Sequence, residues 1–339
     1  MTIQLIQVGM GGWGRNWAKS VLQTDQNVQL TACVDMEPTM LQMAQQELNI
    51  PATICFPTLA AALNEVECEA VLVTTTLPAH VPVARAALEA GKHVLVEKPF
   101  APTVSEAQQL VELAAQRNLR LMVSQNYRYF PAVEFVRNIL REGKLGPVGT
   151  VNLDFRRYSN TAPRDGSHLH YKLWQPLLAD MSIHHFDLMR FVLGQEPTRV
   201  FCQEWNPSWS NFTEPASAAA IITFDGGTVV NYRGSWVSPA PKTGWSGEWH
   251  MECAGGEIEW TSRNMPEPDS VTVRPLGKRT QRIKLPDYPL TDRHGSLNAF
   301  LQAITSGQEA ESSGRNNLKT LALMFTAIES AVSEKPINL

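Results

Sequence analysis

No CxxC pair occurs in the chain, and its five cysteines (Cys33, Cys55, Cys68, Cys202, Cys253) are odd in number and scattered. Neither a disulfide framework nor a zinc knuckle is therefore expected, and a reducing cytoplasm is the expected compartment. Basic residues are not in excess either: Lys plus Arg number 29 against 33 Asp plus Glu. That mildly acidic balance offers no general attraction to nucleic acid or to an anionic membrane surface, so the expected partner is a small molecule. No apolar run approaches the length that spans a bilayer. The opening "MTIQLIQVGMGG" lacks a basic leader and passes straight into a glycine loop, as a first strand does and a signal peptide does not. Internal repeats and low-complexity tracts are also missing.

What is present fills 339 residues, enough for two cores. Over residues 1–125, short β-rich runs ("IQLIQV", "VQLTACVD", "AVLVTTT", "HVLVEK", "LRLMVSQ") alternate with helix-compatible stretches such as "TVSEAQQLVELAAQRN". Strands apolar along their whole length, separated by helices, indicate a parallel sheet covered on both faces. After "GKLGPVG" the pattern changes. Hairpin signals, "DGG" at 225–227 and "GG" at 255–256, join successive strands and imply a mainly antiparallel sheet in an α+β domain over 126–339.

"VGMGGWG" carries Gly9, Gly11 and Gly14 in GxGxxG spacing, with Gly12 and Trp13 inside the loop. Such glycines permit a tight turn, close approach of backbone to a pyrophosphate, and close helix-to-strand packing, while the helix N-terminus stabilises the anion. The next strand ends in Asp35, 21 residues after Gly14, where a carboxylate accepts both hydroxyls of an adenosine ribose. The same carboxylate repels a 2′-phosphate, and the following "MEP" supplies no cation for one. A Rossmann domain that binds NAD in preference to NADP is expected.

"AGKHVLVEKPF" is an apolar strand that stops at Glu97, Lys98 and Pro99, and a strand end in an open α/β sheet faces the ligand cleft. Pro99 could take a cis bond. Together with "VGMGGWG" and the spacing of Asp180, His184 and Asp187, this segment resembles the Gfo/Idh/MocA family, named for glucose-fructose oxidoreductase and inositol dehydrogenase. The resemblance covers nearly the whole chain. It implies an open-faced sheet in the second domain that mediates homodimers or homotetramers, and NAD(P)-dependent oxidation or reduction at a hydroxyl or carbonyl carbon of a sugar, inositol or related polyol. On that pattern Lys98, Asp180 and His184 match the catalytic set. Glu97 and "SQNYRY", with Asn126 and Arg128, match positions on the nicotinamide and substrate side, and "TTTLPAH", with Thr75 and His80, matches the cofactor-ribose side. Two segments depart from the family: "WQPLLAD" stands where glycines usually precede the aspartate, and "TTL" stands where "TPN" is usual.

"DMSIHHFD" sets His184 and His185 side by side. At about 100° per residue, a continuous helix places Asp180, His184 and Asp187 on one face and His185 on another, among Leu188, Met189 and Val192. His184 is therefore expected to transfer the proton, oriented by Asp180, with Lys98 stabilising the developing alkoxide. His185 is expected to pack, and Asp187 to support the helix or a neighbouring arginine such as Arg128. The loop "APRDGSHLHYKLWQ" offers Arg164, His168, His170, Tyr171, Trp174 and Gln175 to a polyhydroxylated ring; His168, Tyr171 and Trp174 are the substrate contacts expected from it. A metal held by "HLH" with His184 and Asp180 is disfavoured, because a lysine in the same pocket would repel a dication. An NAD-dependent glycosidase acting by transient oxidation and a non-catalytic NAD-dependent sensor are the competing functions.

Overall fold

Strands such as "AVLV" are stable only where both faces are covered. In the computed structural model, which describes residues 2–163, 168–264 and 267–339, such strands form a six-stranded parallel sheet. Its strands are β1 (Ile3–Val8), β2 (Val28–Val34), β3 (Cys55–Phe56), β4 (Ala70–Val73), β5 (His93–Val96) and β6 (Leu121–Val123), in spatial order 3-2-1-4-5-6. Five helices connect them: α1 (Gly12–Trp17), α2 (Pro38–Leu48), α3 (Leu59–Glu65), α4 (Leu77–Glu89) and α5 (Val104–Gln116). Each parallel pair needs such a crossover. The strand order reverses between β1 and β4, which opens a crevice at their carboxyl ends.

The second sheet has nine strands. After α6 (Pro131–Arg141) come β7 (Val148–Arg156), α7 (Ile183–Leu193), β8 (Pro197–Trp205), β9 (Ser217–Phe224), β10 (Val229–Ser235), β11 (Glu248–Cys253), β12 (Gly256–Thr261), β13 (Ser270–Pro275) and β14 (Gln281–Arg282). The chain ends with α8 (Asp292–Ser306), α9 (Gly314–Ser333) and β15 (Ile337–Asn338). The order is 14-13-12-11-7-10-9-8-15, and every neighbouring pair is antiparallel except β7 with β10. Gly227 turns the β9–β10 hairpin at φ 87°, a conformation that costs glycine nothing. Alternate residues of this sheet are buried, Val151, Leu153 and Phe155 on β7 for example, while Phe201, Trp205 and Ile221 stand exposed on the other face.

The chain divides into two compact units, Met1–Asn126 with Asp292–Leu318, and Tyr127–Thr291 with Lys319–Leu339. The first unit thus recovers a segment that the sequence places with residues 126–339. The reason lies on α8, where Leu297, Phe300 and Leu301 sit at helical spacing. They join one cluster with Ile3 and Leu5 of β1, Leu72 of β4, Leu95 of β5 and Trp17. Three buried α8 side chains at about 1.5–3 kcal/mol each make that attachment worth roughly 5–9 kcal/mol before ordering costs. No described helix is long and apolar enough to cross a membrane.

Candidate active site

Gly9, Gly11, Gly12, Trp13, Gly14, Asp35 and Thr75 line one cavity of about 610 Å³ at the switch point of the parallel sheet, together with Pro57, Thr58 and Thr76. Gly9 has φ 99°, and a Cβ there would lie 2.7 Å from the Thr74–Thr75 backbone. At Gly14 it would lie 1.9 Å from the Gly9 carbonyl oxygen, whereas at Gly11 and Gly12 it would meet nothing within 4 Å. The first pair of positions closes the turn, and the second leaves room above the loop. Asp35 accepts hydrogen bonds from the backbone N–H of Met10 (2.7 Å) and Glu37 (3.0 Å), which anchors its carboxylate at the cavity edge. These residues fit a dinucleotide: open space over a helix N-terminus for the pyrophosphate, and a fixed acid for a ribose. Pro57 and Thr58 escape the sequence patterns because β3 is only two residues long.

His80 belongs elsewhere than expected. It is buried, with Nδ1 2.8 Å from the Pro99 carbonyl and Nε2 3.1 Å from that of Thr75. Burial holds its pKa below the usual histidine value. The neutral ring lies between the two loop carbonyls and donates its single N–H to one of them, which braces the cavity wall.

Beyond β5 the Lys98–Pro99 peptide is cis, and the Lys98 N–H donates to Glu97. Glu97 is buried, which raises its pKa, while the neighbouring Lys98 charge and indole N–H donors from Trp17 and Trp13 oppose the rise. The Trp17 bond measures 2.7 Å. Over these indoles lies a residue that no local motif signals, Arg293 of α8, its guanidinium 4.5 Å from the Trp13 ring centre and 5.4 Å from that of Trp17. Asn126, an expected cofactor contact, donates to Asp292 at the start of the same helix.

In the second unit, Asp180 and His184 do not share one α-helix. Residues Leu178–Ser182 form a π-turn, with Ser182 N–H bonded to the Leu177 carbonyl at 2.7 Å, and only then does α7 begin. The 100° step therefore fails between Asp180 and His184. His184 is 5% exposed and stacks on Tyr127, ring centres 3.9 Å apart and planes within 8°. His185 faces the other way, fully buried, with Nδ1 3.2 Å from the Tyr232 hydroxyl and Nε2 3.0 Å from the Trp245 carbonyl. Burial lowers its pKa to about 4. Asp187 receives Nε and Nη2 of Arg128, both at 2.6 Å, and the Thr320 hydroxyl at 3.1 Å. Arg128 is buried in that fork, which removes it from the expected substrate contacts and gives it the role of holding α7.

Of the loop before the helix, Arg164 lies outside the described residues. Tyr171 corrects another expectation: it is buried, and its hydroxyl donates to Ser159 and accepts from Ala162 N–H, so it pins the loop from beneath. His168 stacks against it at 4.6 Å. Trp174 is half exposed, 6.2 Å from the Phe325 ring. Gln175 is buried in a left-handed conformation, its N–H held by Glu214. Among the described residues, the group spaced to hold a metal is His250, Glu257 and Glu259 on the second sheet, and Arg274 is already paired with both glutamates there.

A doubly wound sheet with a glycine-lined cavity at its switch point, and an acid at the end of its second strand, defines a dinucleotide-binding protein. Residues 3–125 match the oxidoreductase family with an NAD-binding Rossmann fold, and residues 133–259 match the GFO/IDH/MocA C-terminal domain. The chain is similar to inositol 2-dehydrogenase of Rhizobium meliloti, 25% identical over 356 residues that span 100% of each chain. It is also similar to UDP-N-acetylglucosamine 3-dehydrogenase of Acidithiobacillus ferrooxidans, 30% identical across 69% of this chain and 67% of that one. In fold it is similar to an inositol dehydrogenase homologue from Azotobacter vinelandii solved with NADH and myo-inositol, with TM-score 0.84, 20% identity and coverage of 100% and 98%. The chain belongs to the GFO/IDH/MocA family of NAD(P)-dependent oxidoreductases.

Proposed function

We propose that the protein moves a hydride between NAD and a hydroxyl- or carbonyl-bearing carbon of a sugar, inositol or related polyol. The observation that carries the reading is the first unit itself, where a dinucleotide cavity bounded by Asp35 shares its sheet with Lys98 at the carboxyl end of β5. The relatives act on this substrate range by name: inositol 2-dehydrogenase, D-apiose dehydrogenase and 1,5-anhydro-D-fructose reductase. Bound NAD supplies the hydride acceptor. In the oxidative direction His184 takes the hydroxyl proton, Asp180 orients the imidazole, and the Lys98 ammonium stabilises the oxygen as negative charge develops. Trp174 and His168 are the substrate contacts this reading retains from the loop.

Two experiments test it. Incubation with NAD and a panel of sugars, inositols and polyols is expected to yield NADH with at least one. Lys98→Met and His184→Ala are each expected to lower that turnover about a hundredfold or more while NADH binding survives; near-normal turnover in both sinks the assignment. Asp35 makes NAD the preferred cofactor, and Asp35→Ala is expected to narrow the NAD-to-NADP preference about tenfold or more, some 1.4 kcal/mol. Equal use of both by the unaltered protein overturns that part. The exposed face of the second sheet, with Phe201, Trp205 and Ile221, is proposed as the contact of a homodimer or homotetramer.

A further inference from the structure

We propose that the substrate is an anion: Arg157 and Arg263, gathered at the Trp245 indole, receive a carboxylate or phosphate group on the sugar or polyol that His184 serves. The inference rests on the reading of His184 as the proton-transfer residue, and it deepens that reading to a substrate class. Arg157 follows the end of β7, with its guanidinium carbon 4.2 Å from the Trp245 ring centre. Arg263 follows β12 and stands 5.9 Å from the same indole and 4.5 Å from the Tyr127 ring, with Nη1 donating to the Tyr127 hydroxyl at 2.6 Å. Tyr127 is also the ring on which His184 stacks. The Tyr127 ring thus touches both the imidazole and the Arg263 guanidinium.

A neutral polyol requires no such concentration of positive charge. Burial depresses the Arg157 pKa and Arg263 depresses it further, opposed by the Tyr127 phenol; among the described residues no carboxylate joins that phenol. The Arg157 Nε is buried without a hydrogen-bond partner among the described residues. Three described acids nearby, Asp154, Glu248 and Asp269, have other partners. Asp154 pairs with Arg156 and Arg233, and Glu248 pairs with Arg156. The Asp269 oxygens accept from Arg263 N–H at 2.8 Å, Ser262 Oγ at 2.9 Å and Ala132 N–H at 3.2 Å. That last set fixes the Arg263 backbone at φ 54°, a conformation uncommon outside glycine, and so fixes where its side chain starts. The planar Arg157 fork beside an indole matches an oxyanion, which it can bind through paired N–H groups, with the Arg263 charge adding to the attraction.

The test is calorimetric titration of the NADH-bound protein with D-gluconate, D-glucuronate, D-glucose 6-phosphate and D-glucose, repeated on Arg157→Met and Arg157→Lys. At least one anionic sugar is expected to bind about tenfold or more tighter than glucose. Arg157→Met is expected to remove that preference, and Arg157→Lys to restore part of it, with NADH affinity unchanged as the check on folding. The carboxylates and the phosphate ester separate the two sources of the oxyanion. Binding of glucose as tight as that of every anion, or a preference that survives Arg157→Met, overturns the inference. Turnover assays on the same panel keep the two readings apart. NADH formation from neutral sugars alone leaves the oxidoreductase reading standing and defeats the anion. An Arg157-dependent anion preference with no turnover of any substrate supports the anion and defeats the proposed hydride transfer.

Discussion

Gly11 and Gly14 belong to the same loop yet answer to different constraints. A methyl group on Gly14 would collide with the Gly9 carbonyl, whereas one on Gly11 would enter the open cavity. Gly14→Ala is therefore expected to destabilise the fold by about 1–3 kcal/mol, the usual cost of overpacking. Gly11→Ala should leave the melting temperature within about 1 °C and weaken NADH binding instead, because the added methyl occupies the place of the pyrophosphate. Thermal unfolding paired with NADH titration separates the two; equal loss of stability in both variants contradicts this account. His184 and His185 divide in the same manner, one against Tyr127, the other sealed between Tyr232 and Trp245.

At the scale of the element, the π-turn and α7 form the piece on which the site depends. The helix is buried almost all round, so its polar residues must find partners within the fold. Arg128 and Asp187 do so as a bidentate pair. Arg128→Met leaves a buried carboxylate short of its counter-charge and is expected to cost about 3–5 kcal/mol, while Arg128→Met with Asp187→Leu should recover most of it. Urea unfolding of the two variants measures the difference. His185 makes stability depend on pH in a defined window. Its folded pKa of about 4 lies below the 6.5 of a free histidine, so between these values the folded state holds it neutral while the unfolded chain binds a proton. The stability it contributes is full above about pH 6.5, declines as pH falls from there to about 4, and is then level, a total of about 3 kcal/mol. His185→Gln, which cannot titrate, is expected to flatten the slope across that window.

For the whole molecule, the nine-stranded sheet leaves one face bearing Phe201, Trp205 and Ile221 in the open. Large apolar side chains in such numbers on one sheet face mark an association surface. Sedimentation equilibrium is expected to find a dimer or tetramer, and Ile221→Lys with Phe201→Lys is expected to shift it toward monomer with NADH binding retained. A monomeric unaltered protein disposes of the idea.

The sequence alone determined what depends on neighbours a few residues apart. The apolar β-rich runs determined a parallel sheet, the glycine spacing a tight loop at a helix N-terminus, the turn residues at 225–227 and 255–256 their hairpins, and the glycine loop with Asp35 a dinucleotide site, to which the family resemblance added an oxidoreductase. Tertiary structure alone decided which side chains meet. Tyr171 reads as a ligand contact by its type, and His80 and Arg128 by the family resemblance, but packing turned each toward the protein's own carbonyls, N–H groups or carboxylates. Arg293 reached the indoles of Trp13 and Trp17, and Arg157 and Arg263 reached Trp245, across separations of up to 280 positions, as between Trp13 and Arg293. Backbone periodicity and turn chemistry act over one or two turns of chain. Partnerships between distant residues are set by burial of apolar faces such as that of α8, which local pattern displays without saying where it will dock.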